Sequence, residues 1–294
     1  MDRRWFLRTA AVGMGTAALW TVAPQLAAAA PASATERRFN AIDGTPLYYW
    51  RWHDGTAGRR AERLTFASTN VFYDRLVRWV RDLRTIAATY GGLQGMDRIV
   101  TAGVFVDKPG EHGLGRAFDL DQVRWANGAI TPYAREHASA DRRTRRRYLA
   151  LDAVARRHFH WVLDGGYNAD HADHIHMDLG GGIIRLDRES RSDPIFVQQV
   201  LNAHQDARLP VDGVWGPATQ RAFAESCRRL EVTGDPGVRT DVWREWLLRS
   251  AACGFGDRPF SAPPPSVADP LSGVIDPVLR GTQDTLTELL GLLG

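Results

Sequence analysis

The sequence predicts an α+β protein: a small antiparallel sheet with flanking helices, followed by a small three-helix module. Three observations predict it. Several short stretches alternate apolar and polar residues with the period of a strand, two long segments repeat apolar residues with the period of a helix, and the later part of the chain shows helical patterning alone. The 294 residues suffice for one or two domains, and 44% hydrophobic with 24% charged residues is the composition of a soluble globular protein. The net charge is only +3, Lys108 is the single lysine, and no basic run is interleaved with aromatic residues. That pattern speaks against a nucleic-acid partner. It leaves an acidic polymer acceptable to a slightly basic surface.

The elements follow in order. The stretch TPLYYWRWHDG alternates as a strand. In STNVFYDRLVRWVRDLRTIAATYGG, Phe72, Leu76, Trp79, Val80, Leu83, Ile86 and Ala87 form one apolar helix face. Ser68, Thr69 or Asn70 can cap its start, and Gly91–Gly92 ends it. DRIVTAGVFV is a strand, and EHGLGRAFDLDQVRW is a turn leading into another. DRRTRRRYLALDAVARRHF is a second helix, whose opening arginines read as a solvated face. HWVLDGGYN is a strand and turn, and HADHIHMDLGGG a loop running into a strand. These elements make one domain over residues 40–188. Residues 192–255 form the helical module: Ile195, Val197, Val200 and Leu201 mark its first helix, Pro217 opens the second, and Thr240 is a candidate cap of the third. Residues 256–294 are a Pro-rich linker and a weakly amphipathic tail.

The first 34 residues resemble a twin-arginine export signal. Arg3 and Arg4 precede Trp5, Phe6 and Leu7, then a short Ala/Gly-rich apolar stretch, and Ala32-Ser33-Ala34 as the cleavage site. Pro24 and the shortness of that stretch argue against a membrane span, so none is expected after signal removal. The mature chain then starts near Thr35, in the periplasm, the cell wall or the extracellular space. Such a compartment permits a disulfide, and the reading favours one between the two cysteines, Cys227 and Cys253.

The chemistry concentrates in two stretches. In AFDLD, Ala117, Asp119 and Asp121 share one face of a strand while Phe118 and Leu120 share the other. In HIHMDLG, His174, His176 and Asp178 share one face, opposite Ile175, Met177 and Leu179. If the two strands neighbour each other, Asp119 and His176 converge. His112, on a turn made pliant by Gly113 and Gly115, closes the site from the side. Two histidines and a carboxylate, with a fourth position open to water, form the catalytic rather than the structural zinc pattern. One Zn2+ ion is therefore the expected cofactor, held by His112, Asp119 and His176. The base that takes a proton from water must stand within hydrogen-bond reach. His174 is the first choice; His171 can reach inward, and Asp173 points inward only if the turn is still running there. Asp121 and Asp178 read as hydrogen-bonding partners. The second His-x-His, His158 and His160, has no aspartate motif beside it and reads as structural.

The set His112, Gly115, Ala117, Asp119, with the later His174 and His176, resembles the zinc D-Ala-D-Ala carboxypeptidase family. That family belongs to the wider group of lysostaphin-type peptidases and the hedgehog domain, and the extensin-like C-terminal domain is close in pattern. The resemblance covers roughly residues 65–182 and implies zinc on His112, Asp119 and His176. Two subpatterns compete for the base. Carboxypeptidase-like members place an acidic residue three before the last ligand, here Asp173, where glutamate is usual. Murein endopeptidases show His-x-x-His-x-His, here His171, His174 and His176. Many carboxypeptidase members carry an arginine on the strand before the first ligand; TAGVFVDKPGEH has none, leaving Arg116 or Arg98 as substitutes. The helical module resembles a peptidoglycan-binding domain through Asp212, Gly213, Gly216, Pro217 and Thr219. Together the resemblances imply an exported zinc peptidase acting on a stem peptide or cross-link of peptidoglycan, as D,D-carboxypeptidase or endopeptidase. The other readings are a non-catalytic wall-binding protein with a structural or inactive zinc site, and an amidase or esterase using the same zinc-water. Trp125 and Trp215 are the tryptophans chosen as candidates for sugar contact.

Overall fold

The computed structural model describes residues 36–50 and 62–260. The export signal, the residues after Trp50 in the first strand stretch, and the linker and tail beyond residue 260 lie outside the described residues.

The protein is mixed α+β. Its main sheet has eight strands in the order β2 (Ala41–Ile42), β3 (Thr45–Tyr49), β6 (Met96–Gly103), β7 (Ala117–Trp125), β10 (Ile175–Asp178), β9 (Trp161–Leu163). Off this path, β4 (Glu62–Arg63) pairs with β3 and β8 (Gly128–Ile130) with β7. Two further strands, β1 (Glu36–Phe39) and β5 (Phe66–Thr69), pair with each other. The sheet is larger than the sequence suggests, and one pair, β3 with β6, is parallel. A parallel pair needs a long crossover. Helix α1 (Asn70–Gly91) lies in that connection.

The predicted apolar face of α1 is the buried one, from Phe72 through Ala87. Of the three cap candidates, Thr69 serves: its hydroxyl accepts the Phe72 N–H at 3.3 Å. Gly92 ends the helix at φ 61°, where only glycine escapes the left-handed penalty. Helix α2 (Arg142–Arg156) starts at Asp141, whose carboxylate accepts the Thr144 N–H at 2.8 Å. The arginine run at its start is solvated only in part. Arg146 turns inward, donates to the Ala203 carbonyl at 2.9 Å and pairs with Asp257 at 3.0 Å. His158 is structural as expected: it is buried, with Nε2 2.9 Å from Asp82 Oδ2.

The helical segment comprises α3 (Ser192–Gln205), α4 (Pro217–Arg229) and α5 (Thr240–Phe255). Thr240 is the first residue of α5 rather than its cap, which is Arg239. Gln198 of α3 organises the turn before α4. Its amide donates to Asp212 Oδ1 at 2.8 Å and accepts from the Asp212 and Gly213 N–H groups at 3.1 Å. Helix α5 packs on α1 and α2, and one hydrophobic cluster runs from Trp79 and Phe118 through Phe196 to Trp246. Both cysteines are free thiols, contrary to the expected disulfide. Cys253 is buried on α5, Cys227 is half-buried on α4, and burial pushes each thiol up to about 11. Trp125 is also removed from the sugar-contact candidates, because its indole is buried in the core. Among the described residues, no helix is long and apolar enough to cross a membrane.

His204 makes stability depend on pH. It is buried, stacks on Phe260 with centroids 4.7 Å apart and donates Nδ1–H to the Arg258 carbonyl at 2.8 Å. Burial pushes its imidazole down to about 4 from an ordinary 6.5. Between those values the unfolded chain takes up a proton that the folded chain refuses. Its stabilising contribution is therefore full above pH 6.5 and lost as pH falls toward 4. We expect His204 to account for a loss of roughly 2 kcal/mol between pH 7 and pH 5. Denaturant titrations at both pH values should show a shallower acid loss in His204→Gln, and equal losses in both proteins would acquit this residue.

Candidate metal centre

The centre is built on the pairing of β7 with β10. The strands run antiparallel with His176 directly opposite Asp119, Ile175 opposite Leu120 and Met177 opposite Phe118. Phe118, Leu120, Ile175 and Met177 are fully buried on the helix-covered face. Alternation therefore delivers Asp119 and His176 to the other face. Past Asp119, β7 is irregular: Val100 pairs with Gln122 but Thr101 with Leu120, so Asp121 is skipped. This bulge shifts the alternation and brings Val123 and Trp125 into the core. Asp121 accepts the Trp50 indole N–H at 3.1 Å, in keeping with a hydrogen-bonding role.

His112 arrives from the turn before β7. Gly115 sits at φ +64°, and a Cβ on Gly113 would run into the Lys108 carbonyl, so both glycines are required for the turn to close. His112 Nδ1–H donates to the Val104 carbonyl at 2.6 Å, which leaves Nε2 3.1 and 3.2 Å from the Asp119 oxygens. His176 shows the complementary arrangement. Its Nε2–H donates to Asp178 Oδ2 at 3.0 Å and its Nδ1 lies 2.8 Å from Asp119 Oδ1. Candidate ligand atoms of His112, Asp119 and His176 all lie within 4.8 Å of one another.

The three base candidates are gathered beside this group, with different attachments. His174 Nδ1–H donates to Asp173 Oδ1 at 3.0 Å, and its Nε2 stands 3.7 Å from Asp119 Oδ1. Asp173 thus reaches the centre through His174. The His171 ring lies 5.1 Å from that of His174 and 5.9 Å from that of His176. Asn168 holds it, accepting the His171 N–H at 3.1 Å and Nδ1–H at 2.7 Å. The two proposed substitute arginines are engaged elsewhere: Arg116 with Glu111 at 2.8 Å, and Arg98 over the Tyr48 ring at 4.9 Å.

Sequence reasoning missed the Val104 carbonyl, Asn168 and Trp50. Asn168 had a signal, an asparagine three residues before His171 at the start of a short turn. Val104 lies eight residues before His112 and Trp50 71 residues before Asp121, and no pattern in the sequence marks either contact.

The electrostatics follow from these bonds. Burial alone would raise the Asp119 carboxyl, but hydrogen bonds to His112 and His176 hold it far below the usual carboxylate range. Burial alone would lower His176, but hydrogen bonds to Asp119 and Asp178 hold it up at about 9. Burial and the neighbouring rings of His174 and His176 push His171 down to about 4. The donor set fits a zinc-like ion. Each histidine has one nitrogen fixed by an oxygen acceptor and turns the other toward a shared carboxylate; an ion there would displace the proton from that second nitrogen and leave the fixed one protonated. Two nitrogens and a carboxylate also suit zinc better than magnesium or calcium.

Fold and site together define an α+β protein with one three-residue group, His112, Asp119 and His176, able to hold a metal ion among the described residues. A family model described as Extensin-like protein C-terminus matches residues 99–185, the span from β6 through the loop after β10. No curated protein and no solved structure matches the chain.

In this geometry an ion held by the three residues would have its affinity tuned by Asp178, whose carboxylate is outside the group and bonds His176. We expect His112→Ala and Asp119→Ala to abolish stoichiometric zinc uptake, and Asp178→Asn to weaken it about 10- to 100-fold. Competition against a chromogenic chelator reads both. Unchanged affinity in Asp178→Asn would show that the bond to His176 does not tune the ligand.

Proposed function

We propose that the chain is an exported zinc-dependent peptidoglycan peptidase that hydrolyses an amide bond of the stem peptide or its cross-link. The observation that carries this reading is the pair of histidines, His112 and His176, each anchored through one nitrogen and presenting the other to Asp119, with His174 alongside. His112 Nε2, Asp119 and His176 Nδ1 would hold the ion. When bound, zinc supplies a Lewis acid for the carbonyl and lowers the pKa of a water toward about 7.

The chain's own residues supply the rest. His174 donates Nδ1–H to Asp173, so Nε2 faces the centre ready to take a proton from the attacking water. The same nitrogen then hands that proton to the leaving amine. Asp173 fixes the His174 tautomer and stabilises the ring once it is protonated, the service a carboxylate gives the histidine of a hydrolytic triad. His171, with its pKa pushed down to about 4, is neutral at pH 7. Its Nδ1–H is committed to Asn168, so Nε2 is left as an acceptor for a substrate N–H or water.

Export of the mature chain and wall binding by the helical segment belong to the same proposal. They rest on the twin-arginine-like start and on the Asp212–Thr219 resemblance. Wall chemistry takes place outside the cytoplasm, where such a signal sends its cargo.

The test incubates the chain from Thr35 onward with purified sacculi, with and without chelator, and weighs the released fragments. Chelator-sensitive loss of terminal D-alanine identifies a carboxypeptidase, and loss of cross-linked dimers an endopeptidase. His174→Ala should lower kcat about 10²- to 10⁴-fold while zinc stays bound. A zinc-loaded protein that binds sacculi and releases nothing would leave only the non-catalytic wall-binding reading.

A further inference from the structure

The metal centre has a neighbour on its own sheet face that the mechanism does not use. Strand β9 lies beside β10 at the edge of the main sheet, with Leu163 opposite His176 and Trp161 opposite Asp178. Cross-strand partners share a face. Val162, between them, pairs with Met177 and joins the buried core. Trp161 therefore stands on the metal-bearing face, diagonal to His176, a relationship that separates side-chain bases by about 7–8 Å. Trp161 is 38% exposed, whereas most tryptophans of the described residues are in the core.

The surroundings of Trp161 keep it available. His160 packs against its edge, with ring centroids 5.2 Å apart and planes at 77°. The chain leaving β10 passes both rings as Gly180-Gly181-Gly182. A Cβ on Gly180 would lie 2.5 Å from Trp161 Cδ1 and 2.5 Å from His160 Cδ2, and one on Gly182 would collide with the His160 ring. Any side chain at these two glycines would press on the aromatic pair. Their absence lets the backbone run close beside the rings while part of the indole surface remains open to solvent.

An exposed indole with a polar ring at its edge suits a saccharide. The apolar face of the sugar lies on the ring, and its hydroxyl or N-acetyl groups find the imidazole and indole nitrogens. We propose that Trp161, with His160 beside it, is a substrate-binding platform that takes a sugar ring of the wall polymer next to the metal centre. The proposal rests on the peptidoglycan reading above and adds to it a glycan contact within the catalytic part of the chain. A polymer held there is oriented as well as retained, because the contact and the reacting group sit on adjacent strands.

The test is site-specific and independent of hydrolysis. The mature, zinc-loaded chain is labelled on its indole nitrogens and titrated with a β-1,4-linked N-acetylglucosamine tetramer. The Trp161 indole signal is assigned by its absence in Trp161→Phe. We expect that signal to shift with the sugar, Trp161→Phe to retain most of the affinity, and Trp161→Ala to weaken binding at this site about tenfold. Zinc uptake and the remaining indole signals should stay unchanged in Trp161→Ala, which separates a lost platform from a damaged fold. A Trp161 signal that does not move, whether the sugar binds elsewhere or not at all, overturns the proposal and leaves the peptidase reading to the sacculus assay. A signal that moves in a protein that cleaves nothing keeps the platform and removes the peptidase.

Discussion

The cross-strand pair Asp119–His176 is the constraint on which the rest of the site depends. Its register is set by the opposite face of the sheet, where Phe118, Leu120, Ile175 and Met177 are fully buried. A slip of one residue between β7 and β10 would turn the apolar set outward and bury the carboxylate in hydrocarbon. Burying four such side chains is worth several kcal/mol, about 1.5–3 for each. A bare carboxylate buried among them would instead incur a heavy desolvation penalty. Packing on one face thus fixes chemistry on the other, and the anchors on His112 and His176 then have only to orient rings already in place.

The second dependence runs through the loop between β9 and β10, which carries the base candidates. Asp164 at its start is buried, accepts the Gln199 amide of α3 at 2.9 Å and bonds the Gly166 N–H at 2.7 Å. The Tyr148 hydroxyl of α2 accepts the Gly165 N–H at 2.8 Å. Farther along, Arg191 lies over the Tyr167 ring at 5.5 Å, and Tyr167 meets His171 edge-on at 5.6 Å. Residues of two helices therefore brace a loop that carries no regular structure beyond one short turn. Packing of α3 contributes to the placement of His171 even though no residue of α3 touches the centre.

Much of this was legible in the sequence, for a physical reason. Strand alternation in AFDLD and HIHMD is strict, so the facing of Asp119 and His176 followed from the period alone. The pattern of α1 was equally plain, because its apolar residues recur from Phe72 to Ala87, more than four turns. Legibility failed where the outcome depends on contacts distant in sequence. The bulge at Asp121 reverses the strand alternation without any local mark, which is why Trp125 looked available and is buried. Arg146 reads as a surface arginine until the Ala203 carbonyl and Asp257 are brought to it by the fold. The cysteines fit a disulfide by compartment, but compartment says nothing of distance, and the helices that carry them leave both as free thiols. The resemblance named the candidate ligands, but the assignment of Asp173 as partner to His174 needed coordinates.

The shared core also changes how a wall-binding segment would act. A module on a flexible linker raises the local concentration of substrate but leaves its direction random. Here α5 packs on α1 and α2, and Phe196 and Trp246 lie in the same hydrophobic cluster as Trp79 and Phe118. Arg156 adds a polar junction, pairing with Asp152 of its own helix at 2.9 Å and with Asp193 of α3 at 2.7 Å. Removing one partner of such a buried group leaves an uncompensated charge, so the junction resists separation. A glycan strand held by the helical segment would therefore meet the metal face at a fixed angle. The proposed Trp161 platform would gain from that rigidity, since a contact two residues from the centre orients a polymer best if the rest of the polymer is not pulled past it from a swinging domain.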